Sequence, residues 1–183
     1  SNATKELTTL QHVEIYEKCS QDVYVQVQQM SIERGTKLNL SSCYIDDVNV
    51  IPVSKMLPHL TQLQQLYLGS NRIRDAGATI IANSISSLSQ LQELYLFNNQ
   101  IGDTGAIALA NTIINLTQLE VLYLGANQIG NIGATAIANA ISYLPQLQGL
   151  YLFNNLIGDT GATALANSKK NLKQLQALHL FNN

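Results

Sequence analysis

The strongest regularity along this chain is a hydrophobic phrase that returns every 28 residues. From Leu63 it reads LQQLYLGSNRI, then LQELYLFNNQI, LEVLYLGANQI, LQGLYLFNNLI and LQALHLFNN, which closes the sequence. A degenerate copy, GTKLNLSSCYI, begins at Gly35, so six units can be counted. Self-similarity at a fixed period of this length predicts a stack of repeats, in which each unit buries its apolar face against its neighbours.

Each phrase predicts a short strand with one buried face. Leu94 and Leu96 lie two positions apart, so both side chains point to the same side of a strand, and we expect that side to be the core. A polar residue follows at a fixed place where the chain leaves the strand. Because asparagine both donates and accepts, we expect it to bond the buried turn backbone there. This column is Cys43, Asn71, Asn99, Asn127, Asn155 and Asn183.

The second half of each unit changes period and predicts an amphipathic helix. Its apolar stripe in one repeat is Ala106, Leu109, Ala110, Ile113 and Leu116, the spacing of one helix face. A polar residue precedes each stripe and is expected to act as the N-cap of its own helix. These residues are Asp75, Asp103, Asn131 and Asp159. A helix after every strand forces the strands to be parallel. The sequence therefore predicts an α/β fold, a right-handed αβ solenoid in a horseshoe arc, with a parallel concave sheet and convex helices.

The phrase matches LxxLxLxxN/CxL and, at this repeat length, resembles the ribonuclease-inhibitor-like class of leucine-rich-repeat (LRR) proteins. The resemblance covers residues 35–183: a degenerate repeat 35–62, full repeats 63–90, 91–118, 119–146 and 147–174, and a partial repeat 175–183. Residues 1–3 look like the remnant of an expression tag. Residues 4–34 do not follow the repeat, and we interpret them as an N-terminal helical cap over the first coil.

The C-terminal end is expected to be open. Lys169 occupies the slot that Ile85, Ile113 and Ile141 hold in earlier helices, so the apolar stripe is interrupted there. We expect either that the parent chain continues beyond Asn183 or that the open end contacts another chain. The corresponding states are a monomer and a dimer through the uncapped C-terminal end.

Composition narrows the classes of function. The chain has 10 basic and 12 acidic residues and a net charge of -2, which gives no field to hold a nucleic acid or an anionic membrane. No stretch approaches the roughly 20 apolar residues of a membrane span. The two cysteines, Cys19 and Cys43, make no disulfide scaffold and suit a reducing compartment, so we expect a cytoplasmic location.

Candidate catalytic chemistry is sparse. Neither GxxxxGK[ST] nor GxGxxG occurs, and His12, His59 and His179 lack the spacing of metal ligands. Cys43, His59 and Asp46 could be imagined as nucleophile, base and orienting group. However, Cys43 occupies the turn position where cysteine replaces asparagine. We therefore expect no enzyme, no catalytic residues, no cofactor and no metal site.

The residues between the core leucines face outward and form two columns. The central column is Asn39, Tyr67, Tyr95, Tyr123, Tyr151 and His179, and the next is Ser41, Gly69, Phe97, Gly125, Phe153 and Phe181. Bare ring stacking would not require phenylalanine to alternate with glycine, whereas rigid aromatic anchors are typical of a binding face. Only Lys37, Glu93 and Glu120 are ionic residues near this face.

Area indicates that the sheet does not bind a protein alone. Six short strands give roughly 300 Å², whereas a standard interface takes about 800 Å² per partner. We expect the loops after the asparagine column to contribute the remainder. Tyr44, Arg72, Gln100, Gln128 and Leu156 line up there.

The sequence therefore predicts a non-catalytic module that binds a partner protein through its concave face and ascending loops. The expected partner-binding residues are Tyr67, Arg72, Glu93, Tyr95, Phe97, Asn98, Tyr123, Tyr151, Phe153, Asn154, His179 and Phe181. The near-identical repeats also resemble those of bacterial LRR proteins. This resemblance implies an effector delivered into the host cytosol, or an inhibitor that covers a partner enzyme. Three alternatives stay open: a glycan or small-ligand binder, an adaptor subunit of a ubiquitin ligase, and a GTPase-activating LRR protein.

Overall fold

Each hydrophobic phrase forms a three-residue strand, and the six strands make one parallel sheet. The computed structural model describes residues 36–168 and 172–183. The strands are β1 (Lys37–Asn39), β2 (Gln65–Tyr67), β3 (Glu93–Tyr95), β4 (Val121–Tyr123), β5 (Gly149–Tyr151) and β6 (Ala177–His179), and they lie in sequence order. Every residue of β1 to β5 pairs with the residue 28 positions further along, as Leu66 does with Leu94. The predicted parallel sheet is confirmed.

A helix follows each of the first five strands. The helices are α1 (Val50–Met56), continued by the 3-10 helix Leu57–His59, then α2 (Asp75–Ile85), α3 (Asp103–Ile113), α4 (Asn131–Ile141) and α5 (Asp159–Ser168). Each helix packs against the next one along the chain. This alternation of strands and helices on an open parallel sheet confirms the predicted αβ solenoid.

The core lies between the sheet and the helices. At the strand centres Leu66, Leu94 and Leu122 are fully buried, and so are the leucines two residues later, such as Leu96. Leu109 and Ile113 on α3 close the same layer from the helix side. Because every repeat supplies equivalent leucines, the apolar layer is continuous from β1 to β5.

The asparagine column joins neighbouring repeats. The side-chain oxygen of Asn99 accepts a hydrogen bond from the N–H of Ile73 at 3.0 Å. Its amide donates to the carbonyl oxygens of Leu68 and Leu96 at 3.0 and 3.1 Å. At the head of the column Cys43 is buried and its backbone N–H donates to Asn71. The expected role of asparagine in the turn is confirmed, and each side chain serves two repeats.

The N-cap prediction was wrong in one respect, because Asp75, Asp103 and Asn131 each cap the following helix instead of their own. Asp75, Asp103, Asn131 and Asp159 are the first residues of their helices. The carboxylate of Asp75 accepts hydrogen bonds from the N–H groups of Gly102 and Gly105 at 2.7 and 2.9 Å. These N–H groups lie at the start of α3, where they have no intrahelical acceptor. Asp103 does the same for α4, and Asn131 for α5.

Close approach of the helices makes this capping possible. A Cβ on Gly105 would lie 2.9 Å from both the Cβ of Ala78 and the carboxylate of Asp75. Glycine at the third position of α3 therefore admits the neighbouring helix start, and the expected close packing of this glycine is confirmed.

Two predictions concern parts of the chain outside the described residues. The helical cap at 4–34 precedes the first described residue, and Lys169 follows the last described residue of α5.

Candidate partner-binding face

The sheet side opposite the helices is called the concave face here. Its outward positions carry two rows of side chains. The tyrosine row is Tyr67, Tyr95, Tyr123, Tyr151 and His179, and the phenylalanine row is Gly69, Phe97, Gly125, Phe153 and Phe181. The rows arise because successive residues of a strand point to opposite faces, and the strand pairing sets equivalent residues side by side.

The rings of the tyrosine row contact one another along its whole length. Tyr67 and Tyr95 stack with centroids 4.4 Å apart and planes 6° apart. Tyr123 and Tyr151 stack at 4.6 Å, and Tyr151 meets His179 edge-on at 4.8 Å. Such contacts contribute about 0.5–1.5 kcal/mol per pair beyond burial. The rings are therefore held in place by one another.

Tyr123 connects the two rows. Its ring centroid lies 5.7 Å from Tyr95, 4.6 Å from Tyr151, 5.2 Å from Phe97 and 5.7 Å from Phe153. The aromatic residues of the concave face therefore form one network with Tyr123 at its centre.

The alternation of phenylalanine with glycine has a packing cause. The Phe97 ring occupies the space that a side chain on Gly69 would take. A Cβ on Gly125 would likewise lie 2.8 Å from the Phe153 ring. Phe181 instead stacks on Phe153 at 4.7 Å and is 55% exposed. Packing thus explains the glycines, and Phe181 is more accessible than the half-buried Phe97 and Phe153.

Glu93 lies at the N-terminal side of the network among neutral donors. Gln65 donates its amide to one carboxylate oxygen at 3.1 Å, and the Tyr67 hydroxyl donates to the other at 3.2 Å. Burial, followed by the Glu93 charge, raises the pKa of Tyr67 and of Tyr95. Both phenols therefore stay protonated at neutral pH. Lys37 lies over the Tyr67 ring, with Nζ 4.7 Å from its centroid.

Besides Glu93, three of the predicted site residues do not belong to the ring network. Arg72 lies in the loop after the asparagine column, with its guanidinium 5.4 Å from the Tyr44 ring centroid. Asn98 and Asn154 are exposed and adopt left-handed backbone conformations, with φ of 52° and 51°. Asparagine tolerates this conformation better than most residues. The equivalent Ser70 and Ala126 adopt the same conformation, so the backbone permits asparagine here without requiring it.

Sequence analysis missed part of the apolar surface on the ascending loops, which lead from the asparagine column to the helices. Val48 is exposed there, together with the predicted Leu156 and Tyr44, and Ile132 is exposed at the second position of α4, directly after a loop. Leu156 is 67% exposed, and its N–H donates to the carbonyl oxygen of Ile129 at 2.8 Å. Comparison of the repeats could have identified Ile132, because the equivalent positions in the other full repeats hold alanine or threonine.

The Cys43 thiol is not presented to the surface. Its side chain is buried, with Sγ 3.6 Å from the carbonyl oxygen of Ser41. Over residues 36–168 and 172–183, no three His, Cys, Asp or Glu side chains are grouped so that they could hold a metal ion. In the same part of the chain, no helix has the length and apolar character needed to cross a membrane.

Comparison with protein families matches the repeats. The description "Leucine Rich repeats (2 copies)" fits residues 61–111 and 89–139, and "Leucine Rich repeat" fits residues 147–166. These matches together cover just over half of the chain. No curated protein sequence matches it.

Solved structures show the same architecture. An internalin, InlF, from Listeria monocytogenes is 26% identical, with a TM-score of 0.56 over 82% of this chain and 36% of the internalin. Internalin C2 from the same species is 28% identical, with a TM-score of 0.57 over 83% of this chain and 54% of its own length. The actin-binding site 2 of leiomodin-1 is 15% identical, with a TM-score of 0.60, covers 80% of this chain and 89% of its own, and shows the fold alone.

The chain thus spans about one third to one half of the two internalins. Domains built from leucine-rich repeats are typically non-catalytic, and they generally mediate contacts between proteins. On the matched repeats, the asparagine column and the parallel sheet, the chain belongs to the leucine-rich-repeat proteins.

Proposed function

We propose that this chain is a non-catalytic interaction module that binds a partner protein on its concave face and ascending loops. The observation that carries the proposal is the continuous ring network centred on Tyr123. The rings are already fixed by mutual contact, so they lose little further side-chain entropy when a partner packs on them. Large rigid rings of this kind are typical of binding hot spots.

The proposed footprint extends beyond the sheet. On the concave face it consists of Tyr67, Glu93, Tyr95, Phe97, Asn98, Tyr123, Tyr151, Phe153, Asn154, His179 and Phe181. Because the sheet alone is too small for a standard interface, the footprint continues onto Arg72 and the exposed apolar side chains of the loops. Leu156 on a loop and Ile132 at the start of α4 supply exposed apolar surface next to the sheet.

The wider setting of the proposal is bacterial. The strand pairing at intervals of 28 residues supports the ribonuclease-inhibitor-like class, and the similarity to two Listeria internalins supports a bacterial LRR protein. We favour the form of the proposal in which the chain is an effector that acts in the cytosol of a host cell and covers the active site of a partner enzyme.

Capture with matched variants tests the proposal. The immobilised full chain serves as bait in bacterial and host-cell lysates, beside Tyr123→Ala and Phe181→Ala on the concave face. Asn111→Lys and Asn139→Lys, both exposed on the convex helices, are the controls. We expect proteins that the wild type and both helix variants retain to be lost from the concave variants. Affinity should fall about thirtyfold per hot-spot ring, equivalent to about 2 kcal/mol.

The opposite pattern would contradict the proposal. If the captured proteins survive both concave substitutions and are lost from the helix variants, the binding surface is the convex side. Circular dichroism of each variant separates lost contacts from lost fold. Phe181 is the preferred position for this comparison because its ring is exposed.

A further inference from the structure

The central repeats are entirely without basic residues. Between Arg74 and Lys169 the chain has no lysine, arginine or histidine, but it has five acidic residues. They are Asp75, Glu93, Asp103, Glu120 and Asp159. Two of the five, Asp75 and Asp103, bond the N–H groups of a neighbouring helix. Of the other three, Asp159 is exposed at the start of α5, and Glu93 and Glu120 lie at the sheet.

Glu93 begins β3, and Glu120 directly precedes β4, the neighbouring strand. Glu93 pairs with Val121, the residue that follows Glu120. Glu93 accepts from Gln65 and Tyr67, and Glu120 accepts from the amide of Gln148 at 3.0 Å. Among the residues that the structure describes, neither carboxylate has a basic side chain as its hydrogen-bond partner. Their negative charge therefore remains available to a partner.

One basic side chain of the chain itself already contacts an aromatic ring of this face. Lys37 lies over the first ring of the tyrosine row, which is the arrangement of a cation–π contact. Further along the row the ring centroids are furthest apart between Tyr95 and Tyr123, at 5.7 Å with planes tilted by 43°. The other centroid distances in the row are 4.4, 4.6 and 4.8 Å. This wider spacing lies between β3 and β4. Glu93 begins β3, and Glu120 directly precedes β4.

Building on the proposed function, we infer that the concave face binds an extended segment of a partner protein that carries an arginine and a large apolar side chain. The arginine packs on the Tyr95 ring and donates to the carboxylate of Glu93, which lies at the start of the same strand. Glu120, directly before β4, adds a second negative charge. A planar guanidinium suits this place because it both stacks on aromatic rings and donates to carboxylates. The apolar side chain packs on Phe153 and the exposed Phe181.

Strand spacing sets the separation of the two anchors. From the Tyr95 ring on β3 to the exposed Phe181, directly after β6, there are three strand steps of about 4.8 Å, or about 14 Å. An extended chain advances about 3.3 Å per residue. The arginine and the apolar residue of the partner should therefore be about four positions apart.

Peptide display tests this pattern because it needs no identified partner. A random peptide library is panned on the full chain, and the enriched peptides are synthesised and titrated against variants. We expect enriched sequences with a basic residue about four positions from a large apolar one. Their affinity should fall about tenfold on the double variant Glu93→Gln, Glu120→Gln. It should be unchanged on Asp159→Asn, which removes the same type of charge from the exposed start of α5.

The outcomes separate this inference from the proposed function. Peptides that need Tyr123 but lack a basic residue, or bind the double variant equally well, would overturn the inference and leave the concave binding face intact. Peptides whose affinity is unchanged by Tyr123→Ala and by Phe181→Ala would count against both the inference and the proposed function. If panning enriches no peptides, the proposal of an extended partner segment is overturned. The capture experiment alone would then decide whether the concave face binds a partner.

Discussion

The ring of Phe97 lies over Gly69, in the space that a side chain on residue 69 would fill. Phe153 and Gly125 repeat this relationship two repeats later. A ring from one strand and a missing side chain on the preceding strand thus form one packing unit.

We expect Gly69→Ala to destabilise the fold by about 1–3 kcal/mol, because the new methyl group and the Phe97 ring compete for one space. Removing the ring as well, in Gly69→Ala with Phe97→Ala, should recover part of that loss. Urea denaturation of the two single variants and the double variant measures the coupling free energy, expected above about 0.5 kcal/mol. Strictly additive losses would contradict the contact.

The bond from Asp103 to the start of α4 makes a second prediction. Asp103→Ala leaves the N–H groups of Gly130 and Gly133 without their acceptor and should cost about 1–2 kcal/mol. Asp103→Asn should cost little, because Asn131 accepts the same pair of bonds for α5. Chemical denaturation compares the two. If asparagine is as damaging as alanine, attraction of the carboxylate to the helix start is the main effect.

Loss of a central leucine should be severe and local. Leu94 is fully buried, so Leu94→Ala removes core volume and should cost about 2–5 kcal/mol. In a stack where each repeat contacts only its neighbours, the two halves should then melt less cooperatively and broaden the thermal transition. Gln90→Ala, at an exposed position four residues earlier in the chain, should leave the melt unchanged. A Leu94→Ala protein with the wild-type melting temperature would refute the strand register.

The phenols beside Glu93 predict a dependence on alkaline pH. Burial and the Glu93 carboxylate raise the pKa of Tyr67 and Tyr95 above the usual value of about 10. The unfolded chain releases these protons near pH 10 while the folded chain retains them. The stability due to these phenols is therefore present below that pH and is lost as the pH rises above it.

Phenolate absorbance measures the titration directly. Glu93→Gln removes the second cause of the shift, so the pKa of both tyrosines should fall toward the usual value. Tyr67→Phe and Tyr95→Phe assign the signals. A titration curve that is the same with and without the Glu93 charge would contradict this electrostatic account.

The sequence predicted the sheet and its register because the leucines recur in phase, as Leu66, Leu94 and Leu122 do, and only one alignment of strands superposes them. It did not predict that Asp75 caps the next helix, because a capping pattern read along one segment contains no information on a neighbour 27 to 30 residues away. The alternation of Phe97 with Gly69 was visible, but its packing cause depends on the direction in which the ring leans.

The placement of Phe153 over Gly125 also determines how such a chain can change in length. Deleting residues 91–118 would place Gly69 beside Gly125 and leave two adjacent positions with no ring, although every asparagine bond could form again. Deleting residues 91–146 would place Gly69 beside Phe153 and restore a matched pair. The module that can be added or removed without loss on this surface is therefore a pair of repeats, twice the unit that the leucines define.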